Sequence, residues 1–83
     1  MTADQVRAGA AGETLDLRGL ACPLPILRTR RRLDALPPGA VVAVLTTDPA
    51  SEIDFRHFCN TTEHALLAFE RAAGHFVFTI RRG

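Results

Sequence analysis

The chain of 83 residues has no lysine, no tyrosine and no tryptophan, and it holds only two cysteines and one methionine. Each absence removes a chemistry. Without lysine there is no Schiff base, no ammonium general base and no lysine modification, and all ten basic residues are arginine. Two cysteines, Cys22 and Cys59, are too few for a disulfide scaffold and suit free thiols in a reducing compartment. No apolar run approaches the roughly 18 residues of a spanning helix, so no membrane segment is expected. Residues 1–13 carry Asp4 and Arg7 among Ala and Gly, without the apolar stretch of a secretory signal. The expectation is a cytoplasmic protein with a flexible tail over 1–13 and a single domain over 14–83.

What is present fits one small folded domain. Apolar residues make up 47% and charged residues 23%, a balance that supports a core rather than disorder. The net charge is only +1, which gives no electrostatic case for nucleic acid or an acidic substrate. Residues 15–18 alternate apolar and polar and read as a short strand closed by Gly19. Pro23 opens a helix whose inward stripe is Ile26, Thr29, Leu33 and Leu36, and Pro37-Pro38-Gly39 stops it. Residues 40–47, AVVAVLTT, read as a central strand buried on both faces or nearly so. Asp48 caps a second helix that starts at Pro49 and runs to about Asn60, with Phe55, Phe58 and Cys59 inward. Residues 64–71 and 75–82 form a hairpin around Ala73-Gly74. In its second arm Phe76, Phe78 and Ile80 alternate with Val77, Thr79 and Arg81. The order β-α-β-α-β-β implies an α+β two-layer sandwich, with a four-stranded mixed sheet and both helices on one face.

The stretch Cys22-Pro23-Leu24-Pro25 is the unusual one. A residue before proline avoids the helical region, so Cys22 is expected as the N-cap, with Pro23 at the first helical position and Pro25 at the third. The sulfur then lies at the positive end of the helix, near the Leu24 N–H, which favours thiolate over thiol. Arg18 and Arg28 add positive charge if the fold brings them close. On the residues alone, the alternative is that Cys22 merely caps a helix.

Asp16-Leu17-Arg18-Gly19-Leu20-Ala21-Cys22-Pro23-Leu24-Pro25 resembles the signature of the TusA/SirA-like sulfur-carrier family. Asp48-Pro49-Ala50, Asp54, Phe58-Cys59, His64 and the closing Ile80-Arg81-Arg82-Gly83 resemble its later elements. The resemblance implies a β-α-β-α-β-β fold and a protein that holds sulfane sulfur as a persulfide on Cys22, with Gly19, Pro23 and Pro25 fixing the geometry. It implies a protein donor, such as a cysteine desulfurase or a rhodanese-like protein, and a protein acceptor. It implies no metal and no organic cofactor. The end uses in the family are tRNA thiolation, molybdenum-cofactor supply and sulfur oxidation. Leu24 stands where the tRNA-thiolating members carry an acidic residue.

Leu24 and Leu27 fall outside the buried stripe, with Arg28 and Arg31 beside them, and are the expected docking patch for a partner. The arginines at 28, 30, 31 and 32 otherwise read as a solvated face, so direct nucleic-acid binding is not expected. Cys59 is expected to pack as a small apolar residue. His57, Cys59 and His64 match no tetrahedral zinc spacing. Two further readings stand beside the carrier: a non-catalytic interaction module on the same fold, and a Cys22/Cys59 redox switch. A thiocarboxylate on the final Gly83 is set aside, since no Gly-Gly pair ends the chain.

Overall fold

The computed structural model describes residues 12–83, so most of the tail expected over 1–13 lies outside the described residues. The elements are β1 (Glu13–Asp16), α1 (Leu24–Asp34), β2 (Val41–Thr46), α2 (Ser51–Asn60), β3 (Ala65–Ala72) and β4 (His75–Arg81). The sheet order is β1-β2-β4-β3. β1 pairs parallel to β2, and β4 pairs antiparallel to both β2 and β3. β2 and β3 therefore point the same way, so each helix is a crossover between parallel strands. Both crossovers step across the sheet in one direction, and both take the right-handed course. That puts the two helices on one face, running parallel, with their N-terminal ends at the same end of the sheet.

The period of two in the strands decides what faces the helices. Val42, Val44 and Thr46 stand opposite Ile80, Phe78 and Phe76. Of these only Phe76 is not fully buried. From α2, Phe55 is fully buried and stacks on Phe78 at 4.5 Å between ring centroids. Burying one such ring stabilises the fold by about 1.5–3 kcal/mol. From α1 the buried line is Pro25, Thr29 and Leu33, spaced four apart, with Ile26 and Leu36 packed at its edges. The expected stripe was therefore shifted slightly: Pro25 belongs to it.

Strand ends moved by one or two residues from the sequence reading. β1 starts at Glu13 because its pairing with β2 begins there, opposite Val42. Past Asp16 the Leu17 N–H still bonds to the Leu45 backbone carbonyl at 2.9 Å, and Arg18 folds back on Asp16. In β3 the register shifts between Leu66 and Ala68. That bulge lets Leu66 and Phe69, three apart, share the inner face, while Leu67 is left exposed. Gly74, with φ of 79°, makes the hairpin turn where expected. Arg82 continues the last strand and donates from Nε to Leu33 O at 2.7 Å, closing a carbonyl at the end of α1. Among the described residues no helix is long and apolar enough to cross a membrane.

Candidate functional site

Each helix begins in a proline-containing turn at the same end of the sheet. Residues 21–24 form the first, closed by Leu24 N–H to Ala21 O at 2.9 Å, with the Cys22–Pro23 peptide cis. The helical N-cap is Pro23, not Cys22, and Pro25 is the second helical residue, not the third. The Leu24 N–H, expected to be free for the sulfur, is taken by Ala21. Residues 48–51 form the second turn, closed by Ser51 N–H to Asp48 O at 3.0 Å. It too places the helix start later than the sequence reading, at Ser51 rather than Pro49.

Asp48 ties the two turns together. Its Oδ1 accepts the Ala50 N–H at 3.0 Å, and its Oδ2 accepts the Cys22 N–H at 2.6 Å. Those two bonds hold the Asp48 carboxyl below its usual range. Gly19, with φ of 84°, turns the chain from β1 toward Cys22, and its N–H donates to Thr47 Oγ1 at 2.8 Å. The backbone of Cys22 is thus fixed from the turn that follows β2, while its side chain is exposed and its thiol is free.

A cavity of about 260 Å³ opens beside that thiol, between the facing sides of α1 and α2. Ile26 and Arg30 line it from α1, Asp54, His57 and Phe58 from α2, and Thr61 from just past the end of α2. Arg30 also lies over the Phe58 ring, 5.5 Å from its centroid. The electrostatics differ from expectation. The Asp54 carboxylate beside it, partial desolvation and the negative charge of Asp48 push the Cys22 thiol above its ordinary range. Positive charge from Arg18 does not offset this, because Arg18 is engaged with Asp16 through Nε at 2.8 Å and Nη2 at 2.7 Å. The shift of the cysteine at this helix start is upward, opposite to the one expected from its place at the helix.

The outward side of α1 carries Leu24, 41% exposed, and Leu27, 52% exposed, with Arg28 and Arg31 also exposed. Of the four arginines on this helix, Arg32 is paired with Glu13 at 2.7 Å and Arg30 is over Phe58, so no continuous basic face results. Cys59 is half-buried and lines a different cavity, with Arg56, Asn60, His64 and Leu66. His57 faces the Cys22 cavity instead, so the three residues His57, Cys59 and His64 are not brought together. Among the described residues no group of three or more His, Cys, Asp or Glu is placed to hold a metal ion. Gly83 is packed against Glu63 and donates its N–H to His64 Nδ1 at 3.1 Å.

Sequence reasoning missed Arg30 and His57 as neighbours of Cys22, and gave Asp54 no role. The signal was there in part. Asp54, His57, Phe58 and Thr61 are spaced three, four and seven along α2 and so share a face. What the spacing could not show is that α1 runs parallel beside that face.

Against known proteins, the family model described as Sulfurtransferase TusA matches residues 13–82. The chain belongs to the TusA family. The sulfur carrier protein TusA of Allochromatium vinosum is 41% identical over 70 residues, covering 84% of this chain and 92% of its own. A protein of Neisseria meningitidis, provisionally named a sulfur carrier, is 44% identical over 69 residues, covering 83% and 93%. The crystal structure of a SirA-like protein from Desulfitobacterium hafniense superposes with a TM-score of 0.74 at 27% identity, covering 86% of this chain and 97% of that one. The TusA family fold is thus the mixed four-stranded sheet with two helices described above.

Proposed function

We propose that this protein is a cytoplasmic sulfur carrier, with residues 14–83 as the carrying unit and Cys22 as the sulfur-bearing residue. Membership of a family whose relatives are named sulfur carriers supports the role. The observation that carries the assignment to Cys22 is its combination of a backbone pinned by Asp48 with an exposed, unpaired thiol. Pro23, Pro25 and Gly19 position it. Leu24, Leu27, Arg28 and Arg31 meet the partner: two apolar contacts flanked by cations, close to the sulfur.

The transfer is a thiol–persulfide exchange. Cys22 Sγ loses its proton and attacks the outer sulfur of a donor persulfide, such as that of a cysteine desulfurase or a rhodanese-like protein. The new S–S bond forms as the donor's breaks, and the departing donor sulfur takes up a proton. An acceptor thiol or other nucleophile then removes the outer sulfur and restores Cys22. No net oxidant is consumed. The acceptor, rather than the chemistry at Cys22, selects among tRNA thiolation, molybdenum-cofactor supply and sulfur oxidation.

Incubation with a cysteine desulfurase and cysteine, followed by intact mass measurement, tests this. The wild-type chain gains one sulfur, Cys59→Ser gains it too, and Cys22→Ser does not. Absence of any gain in the wild type favours a non-catalytic module. A gain that persists in Cys22→Ser removes the assignment of the residue.

A further inference from the structure

The cavity beside Cys22 carries one charge of each sign, one from each helix. Asp54 stands in the first turn of α2, at the sulfur end of the groove. Arg30 comes from α1, and its guanidinium lies 5.5 Å from the centroid of the Phe58 ring. Phe58 follows Asp54 by four residues, one turn or about 5.4 Å along the helix axis. The sulfur, the anion and the cation are thus met in that order along the groove. Neither Arg30 nor Asp54 belongs to an ion pair among the described residues. Thr61 spends its hydroxyl on His57 O at 2.9 Å, and His57 is exposed. Pro23, Ile26 and the Phe58 ring supply the apolar sides.

We propose that this groove binds the persulfide of free cysteine, a zwitterionic amino acid, and that Cys22 is loaded from it without a protein donor. Asp54 receives the α-ammonium, Arg30 receives the α-carboxylate, and the sulfane sulfur is presented to Cys22. This deepens the reading of Cys22 as the sulfur-bearing residue and rests on it. Charge complementarity selects the ligand. An α-amino acid carries both charges on one carbon, and the groove offers one opposite charge to each. A guanidinium takes a carboxylate through two parallel hydrogen bonds. The volume of about 260 Å³ lies just below the range of drug-sized ligands and suits a smaller molecule. A dianion such as thiosulfate is disfavoured, because Asp48 and Asp54 both stand at the Cys22 end and Arg30 is the one arginine of the lining. In the transfer, Cys22 gives its proton to solvent and its Sγ attacks the outer sulfur of the bound persulfide. The new S–S bond forms as the ligand's breaks, and free cysteine leaves as its thiolate and takes up a proton. Atoms and electrons balance without an oxidant.

The test compares loading of the full chain by the persulfide of cysteine and by that of mercaptoethanol, each trapped with iodoacetamide and scored at Cys22 by peptide mass. The mercaptoethanol persulfide has the same transferable sulfur and neither the ammonium nor the carboxylate. The intrinsic difference between the two leaving thiols is common to every variant, so it cancels when the ratio of the two rates is compared between proteins. Arg30→Gln is expected to lower the cysteine-to-mercaptoethanol ratio about tenfold, the scale of one hydrogen bond between charged groups. Asp54→Asn is expected to lower it about threefold, since an ammonium is a less directional partner. A ratio unchanged in either variant overturns the proposal. A general change in Cys22 reactivity moves both rates together, leaves the ratio unchanged, and so counts against it. Binding is read separately. S-methylcysteine carries both charges and no transferable sulfur, and it is expected to shift the amide NMR signals of Arg30 and Phe58 in Cys22→Ser. Absence of those shifts overturns the groove as a ligand site. That measurement needs no sulfur on Cys22, so its failure and failure of the mass-gain experiment are separate results.

Discussion

The two helices start alike and use the start differently. Each follows a strand through a turn that contains proline, and in each the first helical N–H closes on a carbonyl three residues back. In the turn at 48–51 the polar side chain is consumed: both oxygens of Asp48 serve backbone donors. In the turn at 21–24 the backbone N–H of Cys22 is served from outside, by that same Asp48, and the side chain is left unspent. The division is instructive. A cysteine that had to cap its own helix would have its sulfur tied to the backbone. Here a neighbouring acid does the structural work for both turns, and the sulfur is free to do chemistry.

The strongest way to break this comparison is to remove the floor both turns stand on. Phe55 lies one turn into α2, fully buried against Phe78. Phe55→Ala is expected to cost about 3–5 kcal/mol of stability, read from denaturant unfolding. Because α2 carries Asp48's turn, the loss should loosen both helix starts together, with Cys22 and Cys59 becoming more reactive in parallel. A loss below about 1 kcal/mol would mean that the core closes around the gap and that the two turns are anchored elsewhere.

How much of this was legible beforehand follows the range of the interactions. The order of elements, the hairpin and the inward faces of β2 and β4 come from short-range periodicity, and the chain shows them plainly. The proline turns were read as caps because the rule for a residue before proline is local and points to a cap. What displaced the caps are bonds between residues 26 apart in the chain, such as Cys22 N–H to Asp48. The thiol's character was misread for the same reason. Helix position favours the anion, whereas the carboxylate of Asp54, brought beside the sulfur by the parallel course of α2, shifts the thiol upward. The bulge at Leu67 could have been read from the spacing of Leu66 and Phe69, which a regular strand would send to opposite faces.

A smaller change sharpens the comparison by striking the exposed side of the first turn. Leu27 is 52% exposed and makes no contribution to the buried line of α1. Leu27→Asp is expected to leave the unfolding midpoint near that of the wild type and to slow sulfur uptake from a protein donor by about tenfold, the scale of one lost interface contact of about 1.4 kcal/mol. Alkylation of Cys22 by a small reagent should not change, which separates a docking defect from a chemical one. Normal uptake by a folded Leu27→Asp protein would remove Leu27 from the partner surface.

The smallest expected effect is the most direct probe of the shared acid. Asp48→Ala removes the acceptor for the N–H groups of Cys22 and Ala50; the Cys22 bond is exposed, so that donor turns to water, while the Ala50 bond is part-buried. The unfolding midpoint should fall modestly, since solvent screens and replaces part of what is lost. The dependence on pH carries the sign. Asp48 is held below its ordinary 3.8 in the folded chain by those two bonds, so the unfolded state binds the proton more readily. Its contribution is therefore fully present above the ordinary value and disappears as pH falls through the lowered one. The gap between wild type and Asp48→Ala, measured by urea unfolding, should be constant from neutral pH down to about pH 5 and should close in stronger acid. Glu13 and Asp16 lose their own arginine pairings in the same acid range, and Asp16, held at about 2 by its hydrogen bonds from Arg18, is among the last to go. Both are intact in the variant, so they cancel from the difference. A gap that survives full protonation would show that Asp48 holds the two turns by shape rather than by its charge.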